Sequence, residues 1–340
     1  MQEEELSDEQ ELHEHYRFTS DPGQSLIRID RYLSDRMENT SRTRIQNAAG
    51  AGNILVNGKT VKPNYRVKPG DIIQIVLPNP PREIELIPED IPISIVYEDE
   101  DVIVVNKEAG MVVHPAYGNY RGTLVNALMW HFRDLPLFNT GELRPGLVHR
   151  IDKNTSGILV IAKNELALNR LSRQFYDRTT DRRYTAIVWG IPDPSEGTVT
   201  GHVGRNLRDR KIMQVFPDGS QGKPAVTHYR VLEDLGYISV VECKLETGRT
   251  HQIRVHLSYI KHPLFNDAEY GGDQILRGTR FTKYQQFVRN CFDLLPGQAL
   301  HARSLAFDHP VTGKRLSFDS ELPAGMIQLM EKWKTYISSR

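Results

Sequence analysis

Cysteine is nearly absent from the 340-residue chain: Cys243 and Cys291 are the only two, and neither belongs to a C-x-x-C pair. Two isolated thiols without a His-rich cluster support neither a disulfide framework nor a zinc site. Long apolar runs are missing too. Nowhere do eighteen consecutive apolar residues occur, and the first fifteen residues lack a basic start followed by an apolar stretch. No membrane span and no secretion leader are expected on those grounds, and the expectation is a soluble cytoplasmic protein. Phosphate-cradling glycine motifs and metal-ligand spacings are also lacking, so no cofactor and no metal is expected.

Net charge is a further absence, with 43 Lys and Arg against 43 Asp and Glu. Its distribution is uneven. Glu3, Glu4, Glu5, Asp8, Glu9, Glu11 and Glu14 crowd the first fifteen residues, which hold no Lys or Arg. Setting these seven aside leaves 43 basic against 36 acidic residues, a basic body of the kind that suits a polyanionic partner such as nucleic acid. Residues 1–20 read as an acidic disordered tail.

What the chain has is a dense polar island set against a buried strand. Leu147 to Ser156 holds His149, Arg150, Asp152, Lys153, Asn154, Thr155 and Ser156, and Gly157 to Ala162 is continuously apolar. Such a run reads as a strand buried on both faces, with the polar loop at the lip of the core. Arg150 and Lys153 would keep Asp152 ionised and fit it for work as nucleophile or base. The same residues also read as an Asx-type turn in which Asp152 and Asn154 cap backbone amides and Gly157 takes a positive φ.

Other stretches set the organisation. Residues 24–80 hold nine Lys or Arg against four acidic residues. Ile29, Leu33 and Met37 stand four apart on one helical stripe. A second helix starts near Thr40 or Ser41, and Ile54-Leu55-Val56, Asn57-Gly58 and Lys59-Thr60-Val61 form a hairpin. Pro78 to Glu83 is a stiff linker. Farther on, a helix over Glu165 to Arg178 is capped by Asn164. A strand from Arg182 to Gly190 sets Tyr184, Ala186 and Val188 on one face, and residues 191–224 make a long excursion with a basic edge. Thr250 is placed as N-cap of a helix to about Ile260. Within it, His251 and His256 are five apart, roughly 140° around the axis, which argues against a shared metal. Arg254 faces the core side, where an Arg needs an anion.

His149-Arg150-Ile151-Asp152-Lys153-Asn154-Thr155-Ser156-Gly157 resembles the signature loop of the RluA-type pseudouridine synthases, with Ile151 for the usual Leu and Asn154 for a frequent Asp. Lys107-Glu108-Ala109-Gly110, Tyr184-Thr185-Ala186, Gln252-Ile253-Arg254-Val255-His256 and Leu300-His301-Ala302-Arg303 resemble its other motifs in order. Glu108 stands where a Pro is usual. The order and extent of the last segment are most similar to the large-subunit ribosomal RNA pseudouridine synthase D group. Ser41-Arg42-Thr43-Arg44 and the Val56-Asn57-Gly58 hairpin resemble an S4 RNA-binding domain.

The resemblance implies an α+β fold, with a mixed, largely antiparallel sheet and helices around a central cleft, plus an S4 domain over 21–80 and a catalytic domain over 81–340. It implies isomerisation of uridine to pseudouridine in RNA, with large-subunit ribosomal RNA or pre-ribosomal particles as partner and a monomer as the working form. Asp152, Tyr184 and Arg254 are the implied catalytic residues, Arg254 pairing with Asp152. Arg150, His149, Leu300 and Ile253 are the implied substrate-binding set, and Arg28, Arg31, Arg42, Arg44 and Lys59 the RNA-binding set. The alternatives are a non-catalytic ribosome-assembly factor and a hydrolase using Asp152 with a His.

Overall fold

The computed structural model describes residues 13–37, 40–77, 86–115, 119–139, 144–207, 209 and 212–339. The chain forms two compact units, Met1–Glu83 and Ile84–Arg340. The Pro78 to Glu83 linker, residues 1–12, and Arg208, Arg210 and Lys211 of the basic excursion lie outside the described residues.

In the first unit, α1 (Ile29–Arg36) and α2 (Arg42–Gly50) pack on a four-stranded sheet of order β1 (His13–Thr19), β4 (Ile72–Leu77), β2 (Ile54–Val56), β3 (Lys59–Thr60). Two of the three predicted stripe residues, Ile29 and Leu33, fall in α1, and Met37 is its C-cap. Ile29 and Leu33 of α1, and Ile45 and Ala49 of α2, bury against Ile54, Val56, Val67, Ile73 and Ile75. Full burial of such a side chain stabilises by about 1.5–3 kcal/mol. Ser41 caps α2 by accepting the Arg44 N–H at 3.1 Å. Asn57 and Gly58 both adopt left-handed φ, 50° and 77°, as a two-residue hairpin turn demands. One expectation needs correction. His13–Thr19, assigned to a disordered tail, is a strand paired antiparallel with Ile72–Leu77. Its charged residues point outward while Phe18 packs on the core, so the acidic composition masked a strand's alternation.

The second unit is a ten-stranded sheet of order β10 (Met213–Phe216), β9 (Glu196–Arg205), β11 (Lys223–Asp234), β12 (Ile238–Leu245), β8 (Asp181–Trp189), β13 (Leu300–Asp308), β7 (Ser156–Ala162), β6 (Val102–Lys107), β5 (Ile95–Glu98), with β14 (Arg315–Asp319) on β13. Every pairing is antiparallel except β13 with β7. This is the mixed, largely antiparallel α+β sheet expected.

Strand β7 is buried at all seven positions because both its faces are covered. Leu159 and Ile161 join the cluster with Leu124 and Leu128 of α3 (Leu124–His131). Ile158, Val160 and Ala162 pack with Ala167 and Leu171 of α4 (Glu165–Asp177). Likewise β8 divides its faces: Tyr184, Ala186 and Val188 enter the first core, while Ile187 and Trp189 enter a second core. That second core also holds Val288 of α6 (Thr282–Phe292) and Trp333 of α7 (Ala324–Ser338). His131 ends α3 half-exposed, paired with Glu98 at 3.0 Å, as a surface histidine. No helix of the described residues is long and apolar enough to cross a membrane.

The strand order positions the site. β12, β8, β13 and β7 are neighbours, with Cys243 opposite Tyr184, Leu300 opposite Ala186 and His301 opposite Ser156. Thus the end of β12, the starts of β8 and β13, and the loop entering β7 converge.

Candidate active site

The Asp152 loop is built by backbone bonds. The Thr155 N–H donates to the Asp152 carbonyl at 3.1 Å, closing a turn, and Gly157, the second residue of β7, has φ 118°. Lys107, 2% exposed at the end of β6, donates from Nζ to the carbonyls of Glu108, Met111 and Lys153, so it ties the loop to the sheet. Burial pushes its ammonium down to about 7, against the pull of Asp152.

Asp152 faces α5 (Gln252–Tyr259), whose start differs from the expected one. The N-cap is His251, in the left-handed region at φ 54°, rather than Thr250. A non-glycine residue held there is strained. The turn brings His251 Nε2 within 3.9 Å of an Asp152 carboxylate oxygen and its Nδ1 within 3.0 Å of the Tyr270 hydroxyl. Burial lowers the His251 imidazole, with Asp152 pulling the other way.

Arg254, one turn farther on, is 4% exposed and surrounded by carboxylates. Its Nη1 donates to Asp152 at 3.4 Å, as the pairing inferred from the sequence requires. The tighter contact is with Asp267, which accepts from Nε at 2.8 Å and from Nη2 at 2.7 Å; Glu269 also accepts from Nη2. Burial alone would lower the guanidinium, but Asp267, Asp152 and Glu269 together raise it further above its usual range. Arg254 is thus clamped from behind by Asp267 and offers its remaining nitrogen to Asp152.

Asp152, Tyr184, Arg254, Arg150, Ile253 and Leu300 line one narrow pocket of about 90 Å³. Tyr184 is buried, and that burial raises its phenol, with Arg182 acting in the opposite direction. Of the sequence-derived set, His149 alone is displaced. It stacks on Phe175 at 4.5 Å between centroids, its Nε2 accepts the Val160 N–H, and it borders a neighbouring cleft. Burial and Arg182 hold it down to about 3. The apolar neighbours make His149 a support for the loop.

His251, Asp267, Glu269, Tyr270 and Arg182 are the site residues not foreseen. The signal for Asp267 was present: a core-facing Arg254 demanded an anion, and the acidic residues at 267 and 269 follow closely in sequence. Elsewhere, ligand-type atoms of Asp99, Asp101 and His309 converge. Asp99 there already accepts from Tyr97, from the backbone at 101 and 102, and contacts His309 at 2.9 Å, an arrangement that closes the β5–β6 turn.

In the first unit, Asp30 is fully buried and accepts from Arg28, from Arg42 at 3.0 Å and from Gln46 at 2.7 Å. Burial opposes the charge, but these donors hold the carboxyl well below its usual range. Arg28 and Arg42 remain about half-exposed, at 44% and 51% of the side chain, pinned at their roots. Arg31, Arg44 and Lys59 are exposed.

One pocket thus joins an aspartate held by a clamped arginine to a buried tyrosine and an apolar wall, and a separate unit carries exposed arginines. The family model for RNA pseudouridylate synthase matches residues 101–259, and that for the S4 domain matches residues 27–73. An RNA pseudouridine synthase of Chlorobaculum parvum is 49% identical over 93% of this chain and 97% of its own length. The ribosomal large subunit pseudouridine synthase D of Zymomonas mobilis is 44% identical over 90% and 93%. The solved structure of human RNA pseudouridylate synthase domain containing 1 superposes with a TM-score of 0.51 at 28% identity, covering 75% of this chain and 97% of that one. The chain belongs to the RNA pseudouridine synthases and is an isomerase that converts uridine to pseudouridine in RNA.

Proposed function

We propose that the substrate is large-subunit ribosomal RNA, free or in pre-ribosomal particles, and that Asp152 carries the chemistry. Support for the substrate comes from relatives named ribosomal large subunit pseudouridine synthase D at 40–44% identity. For the chemistry, the supporting observation is the Asp152 carboxylate held 3.4 Å from the clamped Arg254 in a pocket walled by Tyr184, Ile253 and Leu300.

A uridine stacked in folded RNA must be flipped out, at about a few kcal/mol. Arg150, at the exposed rim, fills the gap it leaves. Asp152 then drives cleavage of the N1–C1′ bond, by attack or by taking the C2′ proton. Tyr184 stacks on the freed uracil while it turns, and helps remove the C5 proton once C5 has joined C1′. Leu300 and Ile253 form the apolar wall that holds the ring. Arg28, Arg31, Arg42, Arg44 and Lys59 grip phosphates and supply affinity and orientation rather than sequence reading. Within this reading the enzyme works as a monomer in the cytoplasm, each chain carrying a whole pocket.

The test is tritium release from large-subunit ribosomal RNA labelled at uridine C5, comparing wild type with Asp152→Ala. Release should occur with the wild type and fall by at least about three orders of magnitude in the variant, with RNA binding retained. Tight binding by a wild type that releases no tritium, from naked RNA or from immature subunits, would sink the substrate assignment. Release undiminished in Asp152→Ala would remove Asp152 from the chemistry.

A further inference from the structure

Beside the narrow pocket lies a wider cleft of about 780 Å³, and Arg150, Arg182, Gly248 and Arg249 line both. At this junction Arg182, near the start of β8, is 8% exposed. Its Nε has no hydrogen-bond partner, and no carboxylate among the described residues pairs with its guanidinium. By contrast, Arg254 has Asp267, and Arg28 and Arg42 have Asp30. A guanidinium withdrawn from water without an anion is strongly destabilising, so its place calls for a ligand.

The surroundings are shaped to hold it. The Phe175 ring lies 5.4 Å from its Cζ. A Cβ added at Gly248 would stand 2.9 Å from Nη1, and Gly248 has no positive φ, so glycine there provides room. The carboxylates on the cleft wall are engaged elsewhere, Asp177 with Arg173 and Glu246 with His228 at 2.7 Å. We infer that Arg182 is the buried ligand of an RNA backbone phosphate next to the target uridine, gripped where the strand passes from the cleft into the pocket. This rests on the proposed ribosomal RNA substrate, a polyanionic strand that must thread the junction. A planar fork of donors fits a phosphodiester, whose charge supplies the missing anion.

The experiment uses the full chain and a large-subunit ribosomal RNA transcript, with Arg182→Met and Arg182→Lys. Arg182→Met should keep or raise the melting temperature. It should raise KM for tritium release roughly tenfold to hundredfold with kcat within about threefold. The slope of log binding constant against log salt should shrink by about 0.7–0.9, one phosphate contact. Arg182→Lys should restore the slope and only part of the KM. An unchanged slope and KM in Arg182→Met overturns the proposal. So does a loss confined to kcat, which would assign Arg182 to Tyr184 or the uracil, and so does a lowered melting temperature with an unaltered slope. If the wild type releases no tritium, the substrate assignment fails on that result alone, and the salt slopes on the same transcript still decide the phosphate contact.

Discussion

Asp267 bears directly on how Arg254 is held. Its side chain is fully buried, and it binds Arg254 in a two-point fork while Asp152 receives a single, longer bond. Removing one member of a buried pair leaves the other charge uncompensated. Asp267→Ala should therefore cost about 3 kcal/mol, the low end of that effect, because Asp152 and Glu269 remain near Arg254. In a unit of this size that is a fall of roughly 6–12 °C in melting temperature. Calorimetry checks it; an unshifted transition would mean that Arg254 is held by other contacts. At this scale the sequence was legible where a residue's chemistry is unusual for its place. Asp152, Tyr184, Arg254, Arg150, Ile253 and Leu300 do meet in one pocket. Asp267 left only an indirect signal, the anion that a core-facing Arg254 demands, and Arg182 was not legible as an orphan. Whether a charge is compensated depends on neighbours that only the folded chain brings close.

Among the elements, β7 couples the loop to the sheet, and Gly157 is where the coupling is tightest. Its φ is 118°, and a Cβ there would stand 2.3 Å from the Ala302 carbonyl oxygen on β13. Gly157→Ala combines backbone strain with a clash against backbone, so β13 or the Asp152 loop must shift. The expected result is a loss of about 2–4 kcal/mol with activity reduced even below the melting transition. Denaturant unfolding and C5 tritium release measure the two effects separately. Retention of both would show that the strands part at no cost.

Most elements were readable because period, cap and turn agree, as in α1, α2 with its Ser41 cap, the Asn57-Gly58 hairpin and α4 with Asn164. The stretch 191–224, expected to be a long, partly extended excursion, carries β9 and β10. Glycines there serve close packing: a Cβ at Gly197 would meet the Tyr229 hydroxyl at 2.8 Å, and one at Gly204 would meet Gly222 at 2.9 Å. The helix α6 was not anticipated, since its buried residues, Tyr284, Val288 and Cys291, are few among polar neighbours.

For the whole molecule, the two units should respond to acid at different pH. His114, His256 and His301 are pushed by burial down to about 4 and His149 to about 3, and all four belong to the larger unit. Their folded values lie below the ordinary 6.5, so from pH 6.5 downward the unfolded chain binds more protons than the folded one. Stability that these groups contribute above pH 6.5 is therefore lost as pH falls toward 4, at about 1.4 kcal/mol for each unit of depression. The smaller unit depends instead on Asp30 and Asp71. Burial opposes both charges, but donors including Arg28 and Gln46 on one, and the Lys68 N–H and Tyr65 on the other, hold them below the carboxylate range. That contribution is intact above about 3.8 and lost only below it. Trp130, Trp189 and Trp333 all lie in the larger unit, so tryptophan emission reports on it alone. Emission should change between pH 6.5 and 4. Amide protection in residues 29–50, followed by hydrogen exchange, should persist until the pH drops below that window. Coincident loss of both signals near pH 3 would mean that the buried histidines do not govern the acid limit and that the carboxylates common to both units do.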